Sequence, residues 1–532
     1  MRKFLVIAVF AFVTVAMLAP PVLAQAPAPK VTITGLFDQV TSFGRNYNDA
    51  DFTRNNDTEW YARTRFRPDF TFEVGRTKAV MGFELDLSWG QTGAESGGGG
   101  KGTGAAASAG HPGVTSSSSL NTDVTGIIEI KWIYTEFDLT GKDSLLPFIP
   151  VPSVARAGLQ PFGALTDMTK VAYATGDFPG FSAVTTFAPN LKTNVAYVMV
   201  EDALGGLRRD QTRGEDFAVI FTVDYTVYKG LDIKPIYSLY YAEGVTNANA
   251  RRNATDPHLA GGTTNAAGTW GGGPNPAGRP AFHENRHTIG FDASWRMGPW
   301  GLDPTILYQW GTRDVLDVNA QKRETKMSSF LFDAIGSFQY GPLLLEVRGA
   351  YTPGNKARDN LARRIRYFEP LDTDTGYYSS WAAILALSNA DFGTGLSAGT
   401  GDMPTHVGYD RYGRGQLGFR ATYNITPALN VFGTLSPTWT AEKVDTDSGS
   451  AAGTRTLLAG SPTFGKGDSS YIGTETNIGL VWKFAPNVSL DLIGAWLASG
   501  DALNTTEIVG GVATKRDSKD AYTVSSRVRL AF

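Results

Sequence analysis

Cysteine is absent from the 532 residues, histidine occurs only five times, and charged residues make up 19% of a chain whose formal net charge is −3. Without cysteine there are no disulfides, no thiolate metal ligands and no CxxCH, so any haem would have to belong to a partner, and no cofactor is expected. Without a basic surplus the chain cannot neutralise a phosphate backbone, which argues against nucleic acid as a partner. Long apolar runs are also missing: beyond the N-terminal segment no stretch reaches the roughly 18 apolar residues of a membrane helix. Any later contact with a bilayer cannot be helical.

What is abundant is glycine (61) and aromatics, with 30 Phe, 21 Tyr and 11 Trp. The N-terminus carries Arg2 and Lys3, an apolar run from Phe4 to Leu18, Pro20 and Pro21, then Val22 and Ala24 at the small-residue positions of a cleavage site. That is the order of a secretory signal peptide, so residues 1–24 read as a leader and 25–532 as the working chain.

From residue 31 onward one pattern recurs, in which apolar residues alternate with polar or small ones. In "RTRFRPDFTFEV", Phe66, Phe70 and Phe72 share one face, while Arg63, Arg65, Arg67, Asp69 and Glu73 share the other. A period of two is the signature of a strand. About eighteen such segments follow one another, and the separators alternate strictly between short and long. "YKG" (228–230), "GP" (341–342) and "APN" (485–487) are short; 91–123, 243–286, 354–414 and 442–470 are long. The stretch 138–152 is an exception, too long for its place in the short series. The expectation is a single all-β domain: a transmembrane antiparallel β-barrel of 16–18 strands, with short periplasmic turns and long extracellular loops.

A soluble sandwich would alternate too, so the aromatics matter. Trp60, Trp89, Trp310, Trp439 and Trp496 lie on the apolar parity at strand ends beside long loops, whereas Trp295, Trp482 and Phe484 lie beside short turns. Two belts of amphipathic rings are expected where hydrocarbon gives way to head groups. The other parity carries mid-strand charge, and Arg63, Arg65, Arg67, Glu84, Asp86, Glu129, Lys131, Arg348, Arg420, Arg527 and Arg529 are read as pore-lining. The ladder Arg63, Arg65, Arg67 stacks three guanidinium groups roughly 6.6 Å apart, which is compatible with plain polar lining or with a path biased toward anions.

The last strand, "AYTVSSRVRLAF", ends on Phe532 with Leu530, Val528, Val524 and Tyr522 on one face. With the leader and the repeated hairpins, it resembles the bacterial outer-membrane porin superfamily across essentially the whole working chain. "KVTITGLFDQV" is similar to the first strand of general porins, and "VARAGLQPFG" (154–163) looks like the segment before the pore loop of phosphate-type porins. The resemblance implies passive diffusion of small hydrophilic solutes across the outer membrane of a Gram-negative bacterium. It further implies no enzymatic activity, a homotrimer, and recognition of Phe532 by the barrel-assembly machinery. It also places the constriction in the third long connection, 160–181, with Asp167, Lys170 and Asp177 narrowing the pore, although the acidic motif of general porins is missing there. Loop 354–414 is the longest, and "RDNLARRIRYFEPL" and "YYSSWAAILAL" within it could form short helices. Competing readings are a dedicated channel or exporter for one solute, and a scaffold barrel that sheathes a redox partner.

One motif points elsewhere. His283, Glu284 and His287 follow the H-E-x-x-H order of zinc proteases, which needs a helix to bring both histidines to one ion. The preceding "GGGPNPAGRPAF" denies a helix, and in an extended chain the two histidines sit roughly 13 Å apart. The motif reads as a loop entering a strand. The run "SGGGGKGT" (96–103) lacks Walker spacing and reads as exterior loop.

Overall fold

The computed structural model describes residues 28–46, 53, 58–89, 125–161, 174–175, 177–202, 215–244, 282–316, 322–357, 359, 363–373, 381–385, 412–444, 446, 448–451, 454–457, 467–509 and 512–532. Residues 1–24, together with Asp167 and Lys170, lie outside the described residues. Eighteen strands form the wall. They are β1 (Lys30–Arg45), β2 (Thr58–Val74), β3 (Thr77–Ser88), β4 (Thr125–Thr140), β5 (Ser153–Pro161) and β6 (Asp177–Ala188). Next come β7 (Leu191–Asp202), β8 (Glu215–Tyr228), β9 (Leu231–Gly244), β10 (Phe282–Met297), β11 (Trp300–Leu316) and β12 (Lys322–Tyr340). The last six are β13 (Leu343–Thr352), β14 (Arg414–Thr426), β15 (Leu429–Val444), β16 (Ser469–Ala485), β17 (Val488–Ser499) and β18 (Ala521–Ala531).

Each strand pairs antiparallel with its neighbours in sequence, and β18 returns to pair with β1 from Leu36↔Ala531 to Arg45↔Tyr522. The sheet is therefore closed and has no free edge. At the seam the backbones of Gly35 and Phe532 exchange two hydrogen bonds, of 2.9 and 3.0 Å. Outside the seam, Phe532 packs near Phe37 and Phe66, whose own rings stack at 4.2 Å. Inside it, Arg529 donates to Asp38 through Nε and Nη2, at 2.6 and 2.5 Å.

Turns of two residues close one rim, for example 75–76, 298–299 and 341–342. Gly341 takes φ +54° there, a left-handed conformation that suits a hairpin matched to strand twist. The exceptional connection between β4 and β5 does lie at this rim, where it displays Phe148 to solvent. The opposite rim carries the long connections, with one departure from strict alternation. β11 and β12 stay paired out to Leu316↔Lys322, leaving only residues 317–321 between them. The ladder hydrogen bonds there extend two strands beyond the apolar segments from which they were read.

The apolar parity faces outward. Ile128, Phe181, Ile289, Phe330, Leu435 and Ile478 are all exposed, Ile478 at 72%. The polar parity faces inward: Asp38, Arg65, Glu84, Glu284, Arg348, Glu475 and Asp491 are buried in the interior. Such a wall, apolar outside and ionic inside, matches a surrounding of acyl chains. Placing a cation on that exterior should be costly. Ile478→Arg is expected to lower the unfolding free energy in lipid vesicles by about 2–4 kcal/mol, measured by denaturant titration; an unchanged midpoint would mean that this face does not meet acyl chains.

Candidate functional site: the lumen wall

Strand periodicity delivers charges to the interior, and burial forces them to find partners. On β2 and β3 the alternation puts Arg65, Arg67 and Glu84 side by side. Arg65 Nη2 lies 3.1 Å from Glu84 Oε1, Arg67 Nη2 also contacts that carboxylate, and Lys131 Nζ of β4 reaches it at 3.8 Å. Arg63 lies one pleat above Arg65 and is buried. Glu129 stands in register with Glu84 and is exposed to the interior. Asp86 stands in register with Arg65, though nothing is described of its side chain.

The remaining sequence-read cations each face an acid. Arg348 binds Asp333 at 3.0 and 2.6 Å, and Arg527 binds Asp491 at 2.8 and 2.6 Å. Arg420 lies 4.0 Å from Glu346 and is flanked by the rings of Phe432 and Trp381. Asp177 begins β6 opposite Pro161; its side chain is outside the described set. Of the aromatics, Trp60, Trp89, Trp482 and Trp496 are exposed, while Trp295, Trp310 and Trp439 are half-buried on the same outer parity.

Alternation misleads at one place. Reading β4 with an unbroken period puts Trp132 and Tyr134 outside with Ile128 and Ile130. Instead, the register slips between Gly82 and Phe83, so that Phe83 faces Ile130 while Gly82 faces Trp132. This bulge turns Trp132 and Tyr134 into the lumen. The indole lies over Gly82, where a Cβ would fall 2.0 Å from its Nε1, and Arg156 sits 5.1 Å over the Tyr134 ring.

In the longest loop, 353–413, the described residues are tied to the inner wall at two places. The first tie is a quartet of two arginines and two glutamates. Arg313 of β11 binds Glu284 through Nε and Nη2 (2.8 and 2.9 Å), and the same Nη2 reaches Glu369 of the loop at 2.5 Å. Arg286 lies 3.3 Å from both carboxylates and 4.6 Å over the Tyr240 ring. Gln309 completes the tie, donating to the Glu369 carbonyl at 2.8 Å and accepting its N–H at 3.1 Å. All four charged side chains are at most 3% exposed, and the charges sum to zero.

The second tie is Glu475 of β16, fully buried. Its carboxylate accepts the backbone N–H groups of Ala383, Ile384 and Leu385 at 2.5–3.0 Å, and Asn477 donates to the Trp381 carbonyl at 2.9 Å. Between the two ties, Asp372–Thr373 pairs in parallel with Ala174–Thr175 of the third long connection. The described parts of the loop thus contact β10–β11 at one tie, β16 at the other, and a second long connection at Asp372–Thr373. Two of its segments, 358–371 and 377–387, have sequences that could form short helices, and each is described only in part. The described parts, 363–373 and 381–385, are extended or bent, because their backbone groups bond to wall side chains and strand partners instead of to one another.

Sequence reasoning passed over Arg286, Arg313, Glu369 and Glu475. Arg286 was within reach, since it shares the inward parity of Glu284 once β10 is taken from Phe282. Glu369 carries no periodic signal at all. As for the H-E-x-x-H motif, it lies wholly within β10: Glu284 points into the quartet, while His283 and His287 have the opposite parity, His283 meeting Tyr241 edge-on and His287 stacking on Trp310 outside. Glutamate and histidines are separated by the wall.

A closed wall of eighteen strands, apolar without and ionic within, with a long loop folded into the bore, decides the architecture. This chain is a closed, eighteen-stranded transmembrane β-barrel. No family model matches the barrel, and no curated protein matches it. Solved structures similar to it include Pseudomonas aeruginosa OccK8 (OprE), at 10% identity and a TM-score of 0.47, covering 94% of this chain and 98% of that one. A BenF-like porin from Pseudomonas fluorescens follows at 10% and 0.45, with coverage of 94% and 98%. P. aeruginosa OccK1 (OpdK) stands at 9% and 0.44, with coverage of 94% and 99%. With likeness so low, what this barrel carries must be read from its own residues.

Both ties can be cut singly. Glu475→Gln removes the charge that satisfies three buried N–H groups, a loss of about 2 kcal/mol, so amide exchange across Ala383–Leu385 should accelerate roughly 30-fold. Arg313→Met leaves Glu284 and Glu369 with Arg286 alone, and a local cost of about 3–5 kcal/mol should free residues 367–371 in the same measurement. Exchange unchanged in both variants would mean that these contacts do not hold the loop.

Proposed function

We propose that the barrel is a water-filled channel through which small hydrophilic solutes diffuse passively across the outer membrane, with a preference for anions. The observation that carries this reading is the inner wall: ionised side chains line the bore on the same strands whose other face is apolar, a division with a use only if water and solutes occupy the inside. The anion preference rests on Glu84, one carboxylate shared by Arg65, Arg67 and Lys131. No bond is made or broken in such transport, and the reading assigns no enzymatic step.

Several roles belong to the same proposal. Trp60, Trp89, Trp295, Trp310, Trp439, Trp482 and Trp496 anchor the barrel at the two interfaces. Phe532 is read by the assembly machinery, residues 1–24 are its secretory leader, and the homotrimer is the arrangement that resemblance to porins suggests. Asp177 and the connection around it share the narrowing of the bore with loop 353–413.

A second reading, a channel selective for one solute class, is favoured by the doubly tied loop. A bore crossed by a fixed segment admits fewer shapes than an open one. Conductance in planar bilayers separates the possibilities. The proposal expects ohmic openings and, in a potassium chloride gradient, a zero-current potential of the sign set by chloride. Replacing Arg65 and Arg67 together by alanine should lower the anion-to-cation permeability ratio by about twofold or more. A barrel that never opens would overturn diffusion in favour of the sheath or a gated exporter, and a cation-signed potential would overturn the anion preference.

A further inference from the structure

β13 stops at Thr352, leaving the upper part of its longer neighbour β12 without an antiparallel partner on that side. The vacant edge is taken by Arg364–Ile365, which pairs in parallel as Lys326↔Arg364 and Met327↔Ile365. Residues in register share a face. Met327 and Ile365 are buried toward the bore, so Lys326 and Arg364 point outward, and both are exposed. Arg366 lies one pleat beyond Arg364 on the same parity and is exposed, as is the adjacent Arg363. The side chain of Asn355 holds the segment in place: its Oδ1 accepts the Arg366 N–H at 2.7 Å, and its Nδ2 donates to the Arg364 carbonyl at 3.0 Å.

The height of this group gives it meaning. Lys326 stands opposite Thr312, and one pleat nearer the short-turn rim Ser328 stands opposite Trp310. Trp310 stacks with His287 and Tyr308, and beneath them Phe330 and Tyr351 are exposed side by side with ring centroids 5.9 Å apart. Lys326 and Arg364 therefore lie one pleat, roughly 7 Å along the strand, above a belt of exterior aromatics, and the parallel run of the segment carries Arg366 down toward that belt. That is the depth at which lipid phosphates lie above their acyl chains. The one outward carboxylate of β12, Glu324, is a further pleat away from the belt.

We infer that Lys326, Arg364 and Arg366 form a binding site on the outside of the barrel for a phosphate-bearing lipid of the outer leaflet, its phosphates on the cations and its acyl chains on Phe330 and Tyr351. The site depends on the exterior wall facing lipid and is independent of what the bore transports. Clustered cations at the surface of a bilayer attract anionic head groups, each adding to the effect, and a planar guanidinium can hold a phosphate through two hydrogen bonds.

The test uses the full chain, reconstituted in phosphatidylcholine vesicles with and without diphosphorylated lipid A, released into mild detergent and examined by native mass spectrometry. The parent barrel should retain lipid A. The variant K326E/R364E/R366E should retain at least about tenfold less, with unchanged bilayer conductance showing that the barrel is intact. Should the charge reversals prevent folding, K326Q/R364Q/R366Q is expected to show the same loss to a smaller degree. Equal retention by parent and variant overturns the site. Equal retention of dephosphorylated lipid A shows that the aromatic belt alone binds and also overturns it. Displacement of lipid A by inorganic phosphate at equal concentration would reassign the cations to a free anion.

Discussion

The pairing of β1 with β18 is the constraint from which the rest follows. In hydrocarbon an unpaired N–H or carbonyl has no water to turn to, so a membrane sheet must end where it begins. Here the two ends of the chain meet over Leu36–Arg45, with Gly35 and Phe532 exchanging backbone hydrogen bonds and Arg529 clasping Asp38 on the inner side. Closure with a period of two then divides every strand. Whatever stands on one parity meets lipid, and whatever stands on the other is enclosed with its neighbours.

Enclosure explains the ionic pattern of the wall. A charge in a narrow bore is partly desolvated, and its cost falls when an opposite charge stands on the adjacent strand. Adjacent strands supply such pairs at Arg348–Asp333, Arg527–Asp491 and Arg529–Asp38. The Glu84 site differs, since three cations converge on one carboxylate, which leaves that part of the wall with an excess of positive charge.

The same electrostatics fastens loop 353–413. One end is held by a neutral quartet whose members are nearly without solvent exposure, the other by three backbone N–H groups that surround Glu475. Both arrangements are satisfied internally, so the segment behaves as part of the wall and not as a tether. A few buried contacts thus fix the described parts of the loop against the wall, and the same loop supplies the short strand that carries Arg364 to the lipid side.

Periodicity and composition by themselves determined that this chain crosses a membrane by strands, which parity faces lipid, where its eighteen strands run, and that Arg65, Arg67 and Glu84 look inward, because alternation is a local property of a pleated chain. Local rules failed where a neighbour intervened. The slip at Gly82/Phe83, set by how β3 meets β4, moved Trp132 and Tyr134 into the lumen. Only the tertiary structure decided that Glu369 and Glu475 hold the long loop inside and that Arg364 joins Lys326 outside. These contacts unite residues tens of positions apart, and no repeat in the sequence encodes a distance across the bore.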